Sequence, residues 1–337
     1  MSRYAEAHVN PQGAGDARPT ALQIVKDEGL EGKLSDKVIF ITGVSSGIGT
    51  ETARALAATG ARLFLTARNL DKAKTALADL FNSDGIENSG HIELIHLDQE
   101  SLESVRNAAK QILSKSDKIN ILINNAGIMA VQTLEFTKDG HELQFGVNHL
   151  SHFLLFELLK PALLAGSTPE FNSRVINLSS ASHGIHGIND WDNYNFQKGG
   201  YNPFVAYGQS KTANIYFANE IERRYGSQGL HGLSVHPGEI DTGLSRYLDP
   251  EFIAQAASSE ALQKRLKSPQ QGAATTVWAA ISKQWEGTGG KLLNDVAEAE
   301  PADESNGRFS KGYAKHAYDA EKEARLWNDS LKLVGLV

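Results

Sequence analysis

Between Lys37 and about residue 295 the chain repeats one unit: a short, almost continuously apolar run, a turn, and a stretch of helical pattern. The apolar runs are KVIFIT (37–42), ARLFLTA (61–67), HIELIHL (91–97), INILIN (119–124), RVINLS (174–179) and LHGLSVH (230–236). A strand that is apolar at every position, not every second one, is covered on both faces, as in a parallel sheet. Helices between such strands provide the crossovers, whose right-handedness produces a doubly wound α/β sheet. Helices are expected over ETARALAAT, from about Asp71 to Phe81, after a Ser101 cap, over roughly 141–165 with an interruption near Pro161, and over about 270–283. A short last strand is expected near GGKLL (289–293). No internal repeat or linker divides the pattern, so one Rossmann-type domain is expected over 34–337. The polar, Gly- and Pro-rich residues 1–33 are expected to form a mobile arm. Two stretches stand outside the alternation: 181–202, rich in His, Trp, Tyr and Asn, and 244–268, a helical excursion. Connections this long in a compact domain often carry function.

The totals exclude several classes. A net charge of −7 over 337 residues argues against nucleic acid as a partner. There is no cysteine, so disulfides, thiolate metal sites and cysteine nucleophiles are excluded. No apolar run approaches the length of a membrane span; FLLFELL (153–159) is too short and contains Glu157. No signal-peptide core is present near Met1, and a cytoplasmic location is expected.

Three local patterns suggest chemistry. TGVSSGIG (42–49) follows the first strand, with Gly43, Gly47 and Gly49 spaced for a tight turn. Ser45 and Ser46 add hydroxyl donors, and the helix N-terminus that follows the turn suits a pyrophosphate. Asp98 and NNAG (124–127, hence Asn125, Ala126 and Gly127) stand at strand carboxyl ends, where ligands bind in such sheets. Asp98 could instead cap the next helix, and the asparagines could make turn bonds. The third pattern is YGQSK (207–211). Asn202 is a good N-cap and Pro203 suits the first helical position. Gly226 is a plausible C-cap, so Tyr207 and Lys211 lie one turn apart on one face.

Taken together, TGVSSGIG, Asp98 in HLD, NNAG, Asn148 in VNHLSHF, NLSS (177–180), YGQSK and HPGEIDT (236–242) resemble the short-chain dehydrogenase/reductase family, in order, over about 37–295. Within the family, the chain is most similar to the retinol-dehydrogenase and WW-domain-oxidoreductase branch. That branch shares a long segment between serine and tyrosine, here 27 positions from Ser180 to Tyr207. The resemblance implies seven parallel strands, Ser180 holding the substrate oxygen (with Ser179 as the neighbouring alternative), Tyr207 as general acid/base, and Lys211 on the nicotinamide ribose. It also implies Asn148 behind the lysine in a water relay. Gly43, Ser45, Ser46, Gly47, Ile48, Gly49, Asp98, Asn125, Ala126, Gly127, Val147, Pro237, Gly238, Ile240 and Thr242 match the cofactor-contacting motifs. The family's mobile substrate lid would begin after Thr242. The implied activity is interconversion of a carbonyl and an alcohol by hydride transfer, with a homodimer possible. A cofactor-sensing regulatory protein is the alternative, because fold does not fix function.

Elementary electrostatics gives the YGQSK spacing a use. An ammonium about 4 Å from a phenolate contributes roughly 4 kcal/mol at an effective dielectric of about 20. Lys211 is therefore expected to bring Tyr207 close to neutrality from its ordinary value near 10. For the cofactor, the second strand ends LFLTARN without an acid to bind the ribose. Arg68, 19 positions past Gly49, could grip a 2′-phosphate, so NADP(H) is expected over NAD(H). His183, His186 and His236 could be imagined as metal ligands, but no carboxylate set accompanies them, and no metal is expected. Trp191, Tyr194, Phe196 and Tyr201 could wall a substrate pocket or fill a core beneath the loop. The amphipathic C-terminal stretch is expected to cover its own domain.

Overall fold

The computed structural model describes residues 2–81, 91–303 and 312–337. The expected strands form as β1 (Val38–Thr42), β2 (Arg62–Ala67), β3 (Ile92–His96), β4 (Ile121–Asn124), β5 (Ser173–Leu178), β6 (Leu230–His236) and β7 (Lys291–Asn294). They lie side by side in the order β3-β2-β1-β4-β5-β6-β7, all parallel. The order reverses between β1 and β4, which opens a crevice at their carboxyl ends. A two-residue strand, β8 (Ala297–Glu298), pairs antiparallel with β7 and adds an eighth member to the seven expected. The tight return runs through Asp295 and Val296, both at positive φ.

Both faces of the sheet are covered, as the unbroken apolar strands required. Ile39 and Ile41 of β1 join one buried cluster with Leu56, Val277 and Trp278. Phe40, between them, points the other way and joins Phe153, Phe156, Phe217 and Trp327. The C-terminal helix Ala320–Leu333 contributes Leu326 and Trp327 to this second cluster, so it covers its own domain.

Two local expectations are corrected. The N-terminal segment is not a loose arm: Thr20 caps a helix, Ala21–Asp27, whose Ala21, Ile24 and Val25 are buried. These positions follow helical spacing, but a seven-residue helix offers too short a window for the period to stand out. Pro161 does not interrupt its helix, which runs from Ser151 to Gly166. Pro161 is exposed, so the carbonyl deprived of its donor can meet water. The irregularity comes earlier, as a fully buried π turn at Gly146–Leu150. The tyrosine helix, Pro203–Tyr225, has Gly226 as its C-cap, as expected; that glycine is right-handed, and a short 3₁₀ turn, Gly226–Gln228, leads on to the left-handed Gly229.

Candidate active site

The tyrosine helix begins as the sequence suggested. Asn202 accepts from the N–H groups of Phe204 and Val205 at 3.0 and 3.1 Å, and Pro203 follows it. The helix is buried from Ala206 to Ile221, which places Tyr207 and Lys211 beneath the end of β5. Gly208 makes this possible: a Cβ there would lie 2.7 Å from the Ser182 carbonyl oxygen. The loop carrying Ser180 can therefore rest directly on the helix. Ser179 and Ser180 are separated by their partners. The Ser179 hydroxyl is buried and donates to the Lys211 carbonyl at 2.9 Å. Ser180, partly exposed, caps a short turn by accepting from Ser182 N–H at 3.1 Å and lies beside the Tyr207 hydroxyl, whose ionised form it favours.

The electrostatics differ from the simple expectation. Burial pushes the Tyr207 hydroxyl up to about 12, and the Ser180 hydrogen bond offsets only part of that. Lys211 lies with its ammonium 5.4 Å from the ring centre, donates to the Leu178 carbonyl at 3.0 Å, and is itself pushed down to about 8 by burial. Loss of hydration disfavours both charged forms. In this pocket burial sets the direction for both groups, away from neutrality for Tyr207.

Asn148 sits in the π turn, entirely buried. Its Oδ1 accepts from Ile128 N–H at 2.9 Å; its Nδ2 donates to the Ile128 carbonyl at 3.0 Å and to Ser210 Oγ at 2.9 Å. Asn148 and Lys211 flank Gly127, where a Cβ would come 3.1 Å from Asn148 Oδ1 and 3.6 Å from Lys211 Nζ. His152, which sequence reasoning did not single out, links this group to β1. Its Nδ1 donates to the Asn148 carbonyl at 3.0 Å, and its Nε2 accepts from Thr42 Oγ1 at 2.9 Å. Thr42 Oγ1 in turn accepts from the N–H groups of Asn125 and Ala126 at 2.9 and 3.0 Å. The signal for His152 was its spacing from Asn148, one helical turn.

The glycine turn forms a cradle beside this network. Gly43 and Gly47 have φ of 74° and 65°. A Cβ on Gly43 would lie 2.7 Å from Ala126, and one on Gly49 would lie 2.3 Å from the Gly43 carbonyl oxygen. Gly47 precedes the helix Ile48–Ala57 without a side-chain cap, so the first N–H groups are left for another acceptor. Asn125 ties the cradle down through Nδ2 to the carbonyls of Thr42 and Gly43, while its Oδ1 is buried without a hydrogen-bond partner among the described residues. These features fit a dinucleotide pyrophosphate. Ser45 and Ser46 lie on the open side of the turn. The Thr242 methyl faces Gly47, and Ile48 and Ile240 close on Gly272, where a Cβ would meet them at 2.9 and 2.6 Å. Gly272 belongs to this packing and carried no motif signal. Pro237 and Gly238 are held by Lys267, whose Nζ donates to the Pro237 carbonyl at 3.2 Å.

At the outer end of the crevice, Asp98 accepts from Lys138 Nζ at 2.8 Å and from Glu100 N–H at 3.1 Å. Burial raises its pKa, but those bonds win and hold it below the usual carboxylate range. Arg68 is exposed and pairs with Glu100.

The two long connections divide. Tyr194 and Phe196 are buried, Tyr194 donates to Asp329 at 2.9 Å, and Trp191 lies under Arg325 of the C-terminal helix. Trp191 therefore supports the loop from beneath. Tyr201 donates to the Val131 carbonyl at 2.6 Å. Tyr247 faces the crevice, packed on Ile128, Val131, Leu143 and Val147. His183 and His236 are both used on backbone: His183 Nδ1 donates to the Ser180 carbonyl at 2.6 Å, and His236 Nδ1 accepts from Ala181 N–H at 3.3 Å.

Comparison with known proteins gives one family. The family model described as short chain dehydrogenase matches residues 37–251. The chain is 51% identical over 334 residues to Short-chain dehydrogenase/reductase prx1 of Penicillium roqueforti, covering 99% of this chain and 95% of that one. It is 36% identical over 302 residues to human retinol dehydrogenase 13, covering 89% and 85%. Among solved structures, a blue fluorescent protein from a metagenomic library, in complex with NADPH, superposes with a TM-score of 0.58 at 25% identity, covering 77% of this chain and 95% of that one.

Proposed function

The chain belongs to the short-chain dehydrogenase/reductase family of oxidoreductases, and from that premise we propose that it interconverts a carbonyl and an alcohol with NADP(H), using Tyr207 as the proton carrier. One observation carries this reading: Tyr207, Ser180 and Lys211 converge, with the phenol buried beside Ser180 and its ring centre 5.4 Å from the Lys211 ammonium. The nicotinamide, when bound, supplies or accepts the hydride. Ser180 donates to the substrate oxygen, where charge develops in the transition state. Tyr207 gives that oxygen its proton in reduction and takes it back in oxidation. A hydroxyl pushed up to about 12 is fully protonated at ordinary working pH, so the group is loaded for reduction. Lys211 holds the ribose and remains charged below about 8. Asn148, fixed on Ile128, keeps the segment beside Lys211 in place. The cradle of Gly43, Gly47 and Gly49 takes the pyrophosphate, and Arg68 takes the 2′-phosphate in exchange for Glu100. The NADPH-bound solved relative and the missing acid after β2 support this cofactor choice.

The test is a panel of ketones and aldehydes assayed by oxidation of NADPH and of NADH. Turnover with NADPH preferred is expected. Tight NADPH binding without turnover of any carbonyl would instead favour a cofactor sensor on the same fold.

A further inference from the structure

Residues 13–18 lie outside the matched family segment, yet they are bonded to residues 265–271, where the excursion after Thr242 returns to the fold. Arg18 is 5% exposed. Its guanidinium donates to Asp16 Oδ1 at 2.8 Å, to the Gly13 carbonyl at 3.0 Å, to the Arg265 carbonyl at 2.8 Å and to the Leu266 carbonyl at 2.6 Å. The last two stand at the end of the helix Glu260–Arg265, where carbonyls have no partner within the helix. Gln271 binds the same arm: Oε1 accepts from Gly15 N–H at 2.9 Å, and Nε2 donates to the carbonyls of Asp16 and Arg18 at 3.1 and 3.0 Å.

The excursion that this clamp terminates is otherwise weakly held. None of residues 243–266 is buried. It leaves beside the cradle at Thr242 and returns at Lys267, whose N–H donates to the Glu239 carbonyl at 2.8 Å. Between those ends it crosses the mouth of the crevice. Gln132 Nε2 donates to the Tyr247 carbonyl at 2.8 Å, and Phe252 lies 5.8 Å from Phe204, which precedes Tyr207 by three residues. With no buried side chain of its own, the excursion rests on these few surface contacts and on its two ends.

We propose that Arg18 is a positioning residue for the substrate pocket: by fixing the Arg265 and Leu266 carbonyls it sets where residues 243–266 close over the crevice. This rests on the oxidoreductase reading above and extends it to the N-terminal arm. The experiment compares Arg18→Ala, Arg18→Lys and, as a control for arm packing, Ile24→Val, each in the full chain. Arg18→Ala is expected to raise KM for an accepted carbonyl about tenfold, the effect of losing one charge-assisted contact, with Kd for NADPH changed less than about twofold. Arg18→Lys, which can reach one carbonyl but not both, is expected to recover part of it. Ile24→Val is expected to lower Tm and leave KM alone. Tryptic cleavage at Arg246, Lys264 and Arg265 is expected to accelerate in Arg18→Ala, to a lesser degree in Arg18→Lys, and not in Ile24→Val. Parental KM and cleavage rate in Arg18→Ala, or both effects reproduced by Ile24→Val, would overturn the proposal. Should Arg18→Ala fail to fold, Arg18→Lys carries the same two readouts. If the parent protein turns over no carbonyl, the oxidoreductase reading fails by itself, and the cleavage rates still decide the role of Arg18.

Discussion

Tyr207 is 3% exposed, while the Arg68 side chain is 61% exposed, although both face one crevice. Around Tyr207 the groups are locked by short bonds to backbone, and burial dominates their ionisation. Around Arg68 the groups are charged, solvated and paired with each other: Arg68 with Glu100, Lys138 with Asp98. A buried site holds its geometry before any ligand arrives, so single atoms matter there. An exposed charge cluster exchanges partners, and each contact contributes little. The proton-handling end should therefore be brittle and the phosphate end forgiving.

The largest effect tests the brittle end. Tyr207→Phe removes one oxygen and keeps the ring, and kcat is expected to fall by about 10²–10⁴-fold with NADPH affinity retained. A variant near the parental kcat moves the proton transfer to another group.

A pH profile is next in size. Lys211 is pushed down to about 8 by burial, so its ammonium is present below that pH and lost above it. Reductive kcat is expected to be level below about 8 and to fall above it, approaching tenfold per pH unit; Lys211→Met should lower the rate and flatten the profile. An unchanged fall in Lys211→Met assigns the titration elsewhere.

At the forgiving end, Arg68→Ala is expected to reduce the NADPH-over-NADH preference in kcat/KM by about tenfold and leave kcat intact. Equal use of both cofactors by the parent, unaffected by Arg68→Ala, would remove Arg68 from cofactor choice.

The smallest effect separates the two long connections. Tyr247→Ala is expected to shift relative kcat/KM among carbonyls by roughly threefold to tenfold, as for partial loss of an apolar wall. Trp191→Ala is expected to lower Tm without shifting that preference, because Trp191 packs against Tyr194 and Arg325. A preference shift in Trp191→Ala, but not in Tyr247→Ala, reverses the assignment of the loops.

What could be seen in the sequence was whatever a few adjacent residues specify. Gly43, Gly47 and Gly49 announce a turn because positive φ and close approach leave almost no other residue. Tyr207 and Lys211 announce a face because helical spacing is fixed. The partners of Arg18 and His183 were not legible. Arg18 meets Arg265 and Leu266 across 247 and 248 positions, and His183 Nε2 accepts from Ala314 N–H across 131. No spacing rule reaches that far. The ionisation of Tyr207 is illegible for a related reason: YGQSK places an ammonium near the phenol, whereas burial, which sets the direction, depends on everything that surrounds it.

The π turn at Gly146–Leu150 has a consequence for how this chain tolerates insertion and deletion. One extra residue in a helical turn rotates everything after it by about 100° relative to an uninterrupted helix. Phe153, Phe156 and Leu159 follow the turn and are buried in the core, and Asn148 bonds Ile128 from within it. Removing a single residue between 146 and 150 would let the backbone relax to regular α-helix. The helix would then have to choose: keep its phenylalanines inside and swing Asn148 away, or keep Asn148 and turn the phenylalanines toward water. The reading frame of packing is as strict here as that of translation, and a one-residue deletion should do more damage than a substitution at any of the five positions.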